Sequence, residues 1–144
     1  MRLAGKKALI TGGGGGMGRA MVKAFSAEGA EIFTNDIAQA GLDGTMSELA
    51  PGSAPVHAGL YDLATVDGVQ QLAADAEKAL GQVDIIVNNA GIFDYLVPTA
   101  DMPLETWDRL FFVNVTSHFL LAQRLLPAMA TRGTGAVISI ASAA

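Results

Sequence analysis

The chain has 144 residues, 51% of them hydrophobic, with no cysteine and a formal net charge of −5. That length suits one domain with a sizeable core, and the lack of cysteine excludes disulfides and thiolate metal sites. The acidic balance, with no Lys or Arg between Lys23 and Lys78, argues against a nucleic-acid groove.

In chain order, short apolar runs at residues 6–11 ("KKALIT"), 30–36 ("AEIFTND"), 54–60 ("APVHAGL"), 83–89 ("VDIIVNN") and 135–141 ("GAVISIA") read as strands. Residues 17–27, 42–49, 66–80 and 104–129 carry helical periodicity between them. Strands that are apolar almost throughout and alternate with helices imply a parallel sheet covered on both faces, a doubly wound α/β fold. No run reaches the length of a membrane span, and the four apolar residues before the glycines are too few for a signal peptide, so the expected location is cytoplasmic with no membrane partner. His57 and His118 lack metal-ligand partners at useful spacing, so no metal is expected. His57 reads as a satisfied core or edge histidine and His118 as a packing or interface residue.

The most informative stretch is "ALITGGGGGMGRAMVKAF", where a strand runs into five consecutive glycines and then a helix. A loop without side chains lets backbone N–H groups and a helix N-terminus approach a pyrophosphate. Two glycine registers fit, Gly13-Gly15-Gly18 and Gly12-Gly16-Gly18. A nucleoside-triphosphatase loop is excluded, because Arg19 and Ala20 follow Gly18 and supply neither the phosphate lysine nor a magnesium hydroxyl. Asp36 ends the second strand eighteen positions past Gly18, where a dinucleotide-binding unit places a carboxylate on the adenosine ribose. A 2′-phosphate there would meet that carboxylate, with Arg19 the one cation to weigh against it, so NAD is favoured over NADP. Asp62, just after the third strand, is either an acceptor for an adenine amino group or a turn residue.

The loop, Asp36, "VDIIVNNAGIF" and "FFVNVTSHFLLAQ" together resemble the short-chain dehydrogenase/reductase family, whose marks are TGxxx[AG]xG, NNAG, a helical Asn and a Ser-Tyr-Lys set. The resemblance spans the chain and implies a Rossmann-like NAD(P)-binding domain over residues 1–144. It implies cofactor contacts from Gly12, Gly16, Met17, Gly18, Asp36, Asp62, Leu63, Asn89, Ala90 and Gly91, and catalytic roles for Asn114 and for Ser142 rather than Ser139. The family's tyrosine and lysine lie about a dozen residues beyond that serine, and neither Tyr61 nor Tyr95 has a lysine four positions on. The expectation is therefore a fragment, truncated after the fifth strand and inactive alone, of an oxidoreductase that moves a hydride between NAD and a small alcohol or carbonyl substrate. The fifth strand should form an open edge, and the 104–129 helix should join a homo-oligomer interface. Two other readings stand beside it: an S-adenosylmethionine-dependent methyltransferase, and a noncatalytic dinucleotide-binding or assembly module. Tyr95 is expected to be a half-buried loop aromatic rather than a pocket wall.

Overall fold

Five parallel strands form one sheet: β1 (Lys7–Thr11), β2 (Glu31–Asp36), β3 (Val56–Leu60), β4 (Ile85–Asn88) and β5 (Ala136–Ser139). This computed structural model describes residues 1–142; residues 143 and 144 of the expected domain lie outside the described residues. The spatial order is β3-β2-β1-β4-β5. The chain thus winds outward from β1 in one direction and returns to β1's other side with β4. Their carboxyl ends diverge at that reversal, which is where such sheets open a crevice.

The strand side chains alternate between two cores. Ala8, Ile10, Ile32 and Val87 pack with Val22 of α1 (Gly16–Ala27) on one face. Leu9, Phe33 and Ile86 meet Leu72 and Ala76 of α3 (Val66–Leu80) and Leu121 and Leu125 of α5 (Ser117–Arg132) on the other. Helix α3 has local reasons for both its ends: the Thr65 side chain accepts from Gly68 N, and Gly81 terminates it with φ +74. The short α2 (Gln39–Ser47) begins three residues earlier than its periodicity implied.

The helix expected over residues 104–129 is instead two helices, α4 (Leu104–Phe111) and α5, joined by a wide π turn at Phe112–Thr116. Two side chains account for the break in the regular ladder. Ser117 Oγ donates to the Val113 carbonyl at 2.6 Å, and the Asn114 amide leaves the helix to bond the loop after β4. Helix α5 then runs past Pro127 to Arg132 and stops at Gly133, φ +69.

Among the described residues β5 pairs with β4 alone, and all four of its residues are exposed. It is the open edge that the sequence implies.

Candidate functional site

A cavity of about 320 Å³ opens at the carboxyl ends of β1, β2 and β4. Its floor is Gly12 and Gly15 of the loop after β1 and residues 35–37 at the end of β2. Residues 61–63 after β3 and 89–92 after β4 form two walls, and Arg109 and Val113 close it from the helical side.

The five glycines have different reasons to be glycine. A Cβ on Gly13 would overlap Thr34 Oγ1, and one on Gly14 would stand 2.5 Å from Asp36 Oδ2, so both are demanded by packing on β2. Gly12 and Gly16 have φ +71 and +50, a region that side chains disfavour. A Cβ on Gly18 would overlap the Gly12 carbonyl oxygen, so Gly18 is what lets α1 pack down on the loop. The register is therefore Gly12-Gly16-Gly18. Nothing stands within 4 Å of a Cβ built on Gly15 or Gly16. Gly15 caps α1 without a side-chain bond, and no acid occupies the first turn. The free N–H groups and positive end of that helix are thus open to an anion, which is the fit a pyrophosphate requires.

Around this opening the polar side chains hold the loops rigid. Asp36 accepts from Gly14 N at 3.0 Å through Oδ2, and from Ile37 N and Ala38 N at 2.8 and 3.2 Å through Oδ1. Asn89 Nδ2 donates to the carbonyls of Thr11 (2.9 Å) and Gly12 (3.3 Å), while Asn89 N and Ala90 N both donate to Thr11 Oγ1 at 3.0 Å. The loop after β4 is thereby stitched to the loop after β1. Asn114 pairs both ways with Ile92, accepting from its N–H at 2.9 Å and donating to its carbonyl at 2.8 Å. Asp62 accepts from Ala64 N at 2.9 Å, a turn bond, and its carboxylate lies 4.0 Å from the Arg109 guanidinium.

Of the residues singled out in the sequence, Gly12, Asp36, Asp62, Leu63, Asn89, Ala90 and Gly91 converge on the cavity. Gly16, Met17 and Gly18 are not part of its lining: Gly18 is buried under Gly12, and Met17 is 63% exposed. Asn114 stands behind the wall, fastening Ile92. Ser142 is exposed at the end of the described chain, beyond β5. Sequence reading missed Asn35, Ile37, Tyr61, Ile92, Arg109 and Val113 as lining residues, and named Gly15 only in the other glycine register. The one signal for the last two was their four-residue spacing, which puts them on one face of a helix.

The titratable groups nearby are engaged in structure. Burial pushes the Tyr61 phenol up to about 12, reinforced by its 2.6 Å bond to Asp75. Burial pushes the His118 imidazole below its ordinary value, opposed by a bond to the Ala90 backbone. His57 sits on edge strand β3 with Nε2 3.0 Å from Glu31 Oε1. Tyr95 departs from expectation: it is 82% exposed and packs against Phe93 with tilted rings whose centroids are 4.5 Å apart. Asp94 accepts from Leu96 N, and the tight turn carries Tyr95 and Leu96 outward at φ +56 and +63.

The family model for short chain dehydrogenases matches residues 6–144. The chain belongs to that family. It is 37% identical to the sorbitol dehydrogenase of Cereibacter sphaeroides over 145 residues, covering 100% of this chain and 55% of that enzyme. It is 35% identical to the cis-1,2-dihydrobenzene-1,2-diol dehydrogenase of Pseudomonas putida, covering 99% of this chain and 52% of that enzyme. A metagenomic short-chain oxidoreductase solved in complex with NADP superposes with a TM-score of 0.93 at 28% identity, covering 100% of this chain and 65% of that one. The chain therefore spans about half the length of the curated relatives it matches. Its sheet and flanking helices are the Rossmann-like fold of short-chain dehydrogenases, and the family match sets the methyltransferase reading aside. No helix among the described residues is long and apolar enough to cross a membrane.

Proposed function

We propose that this short-chain dehydrogenase moves a hydride between NAD and a small alcohol or carbonyl substrate, with residues 1–144 supplying the dinucleotide-binding part. The observation that carries this reading is the uncapped N-terminus of α1 beside a fixed Asp36 in one cavity. Bound NAD would supply or accept the hydride.

The chain's own residues would act as follows. The Gly12-Gly16-Gly18 loop and the first N–H groups of α1 bind the pyrophosphate, and Met17 flanks the nicotinamide end. Asp36 keeps acceptor capacity for the ribose hydroxyls while three backbone N–H groups hold it in place. Asn89, Ala90 and Gly91 form the facing wall. Asn114 keeps that wall in position through Ile92 and stands where a proton-relay water would be ordered. Ser142 orients the substrate oxygen.

The preference for NAD rests on charge. A 2′-phosphate beside Asp36 would meet a carboxylate. The nearby Arg19 is already committed, donating to Gly14 O (2.8 Å), Gly41 O (3.2 Å) and Glu48 (2.7 Å). NADP is the ligand of the structural neighbour described above. The exposed apolar residues Trp107, Phe111, Val115 and Phe119, along one side of α4 and α5, support a homo-oligomer through these helices. The protein is proposed to act in the cytoplasm.

Fluorescence titration with NADH and NADPH tests the reading. NADH should bind at least tenfold more tightly, and Asp36→Asn should narrow that ratio by weakening NADH and easing NADPH. A protein that binds neither dinucleotide, or prefers NADPH, refutes it.

A further inference from the structure

Of the five arginines in the chain, Arg109 alone donates no hydrogen bond among the described residues. Among the described residues it is also the one cation lining the cavity, against the two carboxylates of Asp36 and Asp62. Its guanidinium stands 4.0 Å from Asp62 Oδ1, near enough to attract it and too far to share a hydrogen bond. Both side chains are about half exposed, at 53% and 49%. The guanidinium is therefore held loosely at the cavity mouth, while the Asp62 carboxylate is anchored there through its bond from Ala64 N.

The position of the pair in the cavity gives it a use. The helix N-terminus takes the pyrophosphate and Asp36 the ribose, so the base carried by that ribose continues past β2 toward the end of β3. The side chains there are apolar: Leu63 and Val113 are buried, and Ile37 is 71% exposed. Arg109 lies one helical turn before Val113, on the same face. A planar guanidinium over a slot with apolar walls suits the face of a purine. A carboxylate at its edge accepts from an exocyclic amine and repels a carbonyl.

We infer that Arg109 is a specificity residue for adenine: it closes the base end of the cavity by stacking on the purine and, through its attraction for Asp62, aims that carboxylate at the 6-amino group. The inference rests on the dinucleotide reading above and extends it to the choice of base. Arg109 touches no reacting atom, so it sets affinity and base preference rather than the rate of hydride transfer.

The test compares three reduced probes on the full-length protein and its Arg109→Gln and Arg109→Lys variants: NADH, its hypoxanthine analogue, and reduced nicotinamide mononucleotide, which lacks the adenosine half. The wild type should prefer NADH to the hypoxanthine analogue. Arg109→Gln should weaken NADH by about fivefold and shrink that preference, while mononucleotide affinity stays unchanged. Arg109→Lys, which keeps the charge without the plane, should recover only part of the loss. An undiminished preference for adenine in Arg109→Gln overturns the inference, as does an equal fall in mononucleotide affinity, which would mark a structural defect. Full recovery by lysine overturns the stacking role. A wild-type protein that binds no dinucleotide overturns the underlying reading as well.

Discussion

Alanine placed at Gly15, Gly16 and Gly18 in turn should give three different outcomes within one loop. At Gly18 a Cβ would lie 2.7 Å from Asn89 Nδ2 and 2.8 Å from the Gly12 carbonyl carbon. Comfortable contacts of this kind need about 3.5 Å, and the overlap with the Gly12 carbonyl oxygen is tighter still, so α1 and the loop must part by more than about 1 Å. Overpacking of that degree costs about 1–3 kcal/mol. The movement also strains the Asn89 bonds to Thr11 and Gly12, each worth about 1 kcal/mol. The sum is about 3–5 kcal/mol, which lowers Tm by about 10–17 °C for a chain of this size. At Gly16 the space is open but φ is +50, so the cost is the left-handed penalty of about 1–2 kcal/mol. At Gly15 the backbone is extended, with φ −167, and nothing stands near. Gly15→Ala should leave Tm unchanged and weaken NADH binding, because its methyl group enters the cavity. Circular dichroism melts and NADH titrations on the three variants decide the matter. If Gly18→Ala melts with Gly15→Ala, the argument that Gly18 seats the helix is wrong.

Asn114→Ala should destabilise the protein by about 2 kcal/mol, since both Ile92 backbone groups lose their partner. Hydrogen exchange at the Ile92 amide should accelerate, and Asn114→Asp should show a smaller effect because the acceptor remains. Tyr61 predicts an alkaline loss of stability. Its phenol ionises near 12 in the folded chain but near 10 when unfolded. Its contribution is therefore complete below pH of about 10 and is lost as the pH rises toward 12. Urea unfolding across that interval should show a flatter decline for Tyr61→Phe, and parallel declines would rule out this source.

The sheet and its helices were legible because strands buried on both faces leave unbroken apolar runs, and amphipathic helices leave a 3.6-residue period. The candidate anion site was legible as well, since no common turn needs five glycines. Which glycine does what was not, because Thr34, Asp36 and the Gly12 carbonyl oxygen tell them apart, and those arrive only when β2 and α1 pack against the loop. The split between α4 and α5 escaped notice for a similar reason. The apolar pattern continues through residues 112–116, while the cause lies in two hydrogen bonds, from Ser117 and Asn114, that leave no trace in periodicity. Arg109 meets Asp62 across 47 positions of chain, a proximity made by tertiary packing alone. Tyr95 was misjudged because an aromatic next to a binding loop suggests burial, whereas the Asp94 turn sends it outward.

The π turn also fixes a length. Each residue of a helix turns the next by about 100°, and a π turn accommodates one extra residue between two regular segments. Removing any one residue from 112–116 would swing α4 against α5 by that angle. Either Arg109 and Val113 would leave the cavity, or Leu121, Leu125 and Met129 would rotate off the sheet. Substitutions along this stretch that keep its residue count therefore leave both faces in register, while a single-codon deletion would put the cavity wall and the core out of phase.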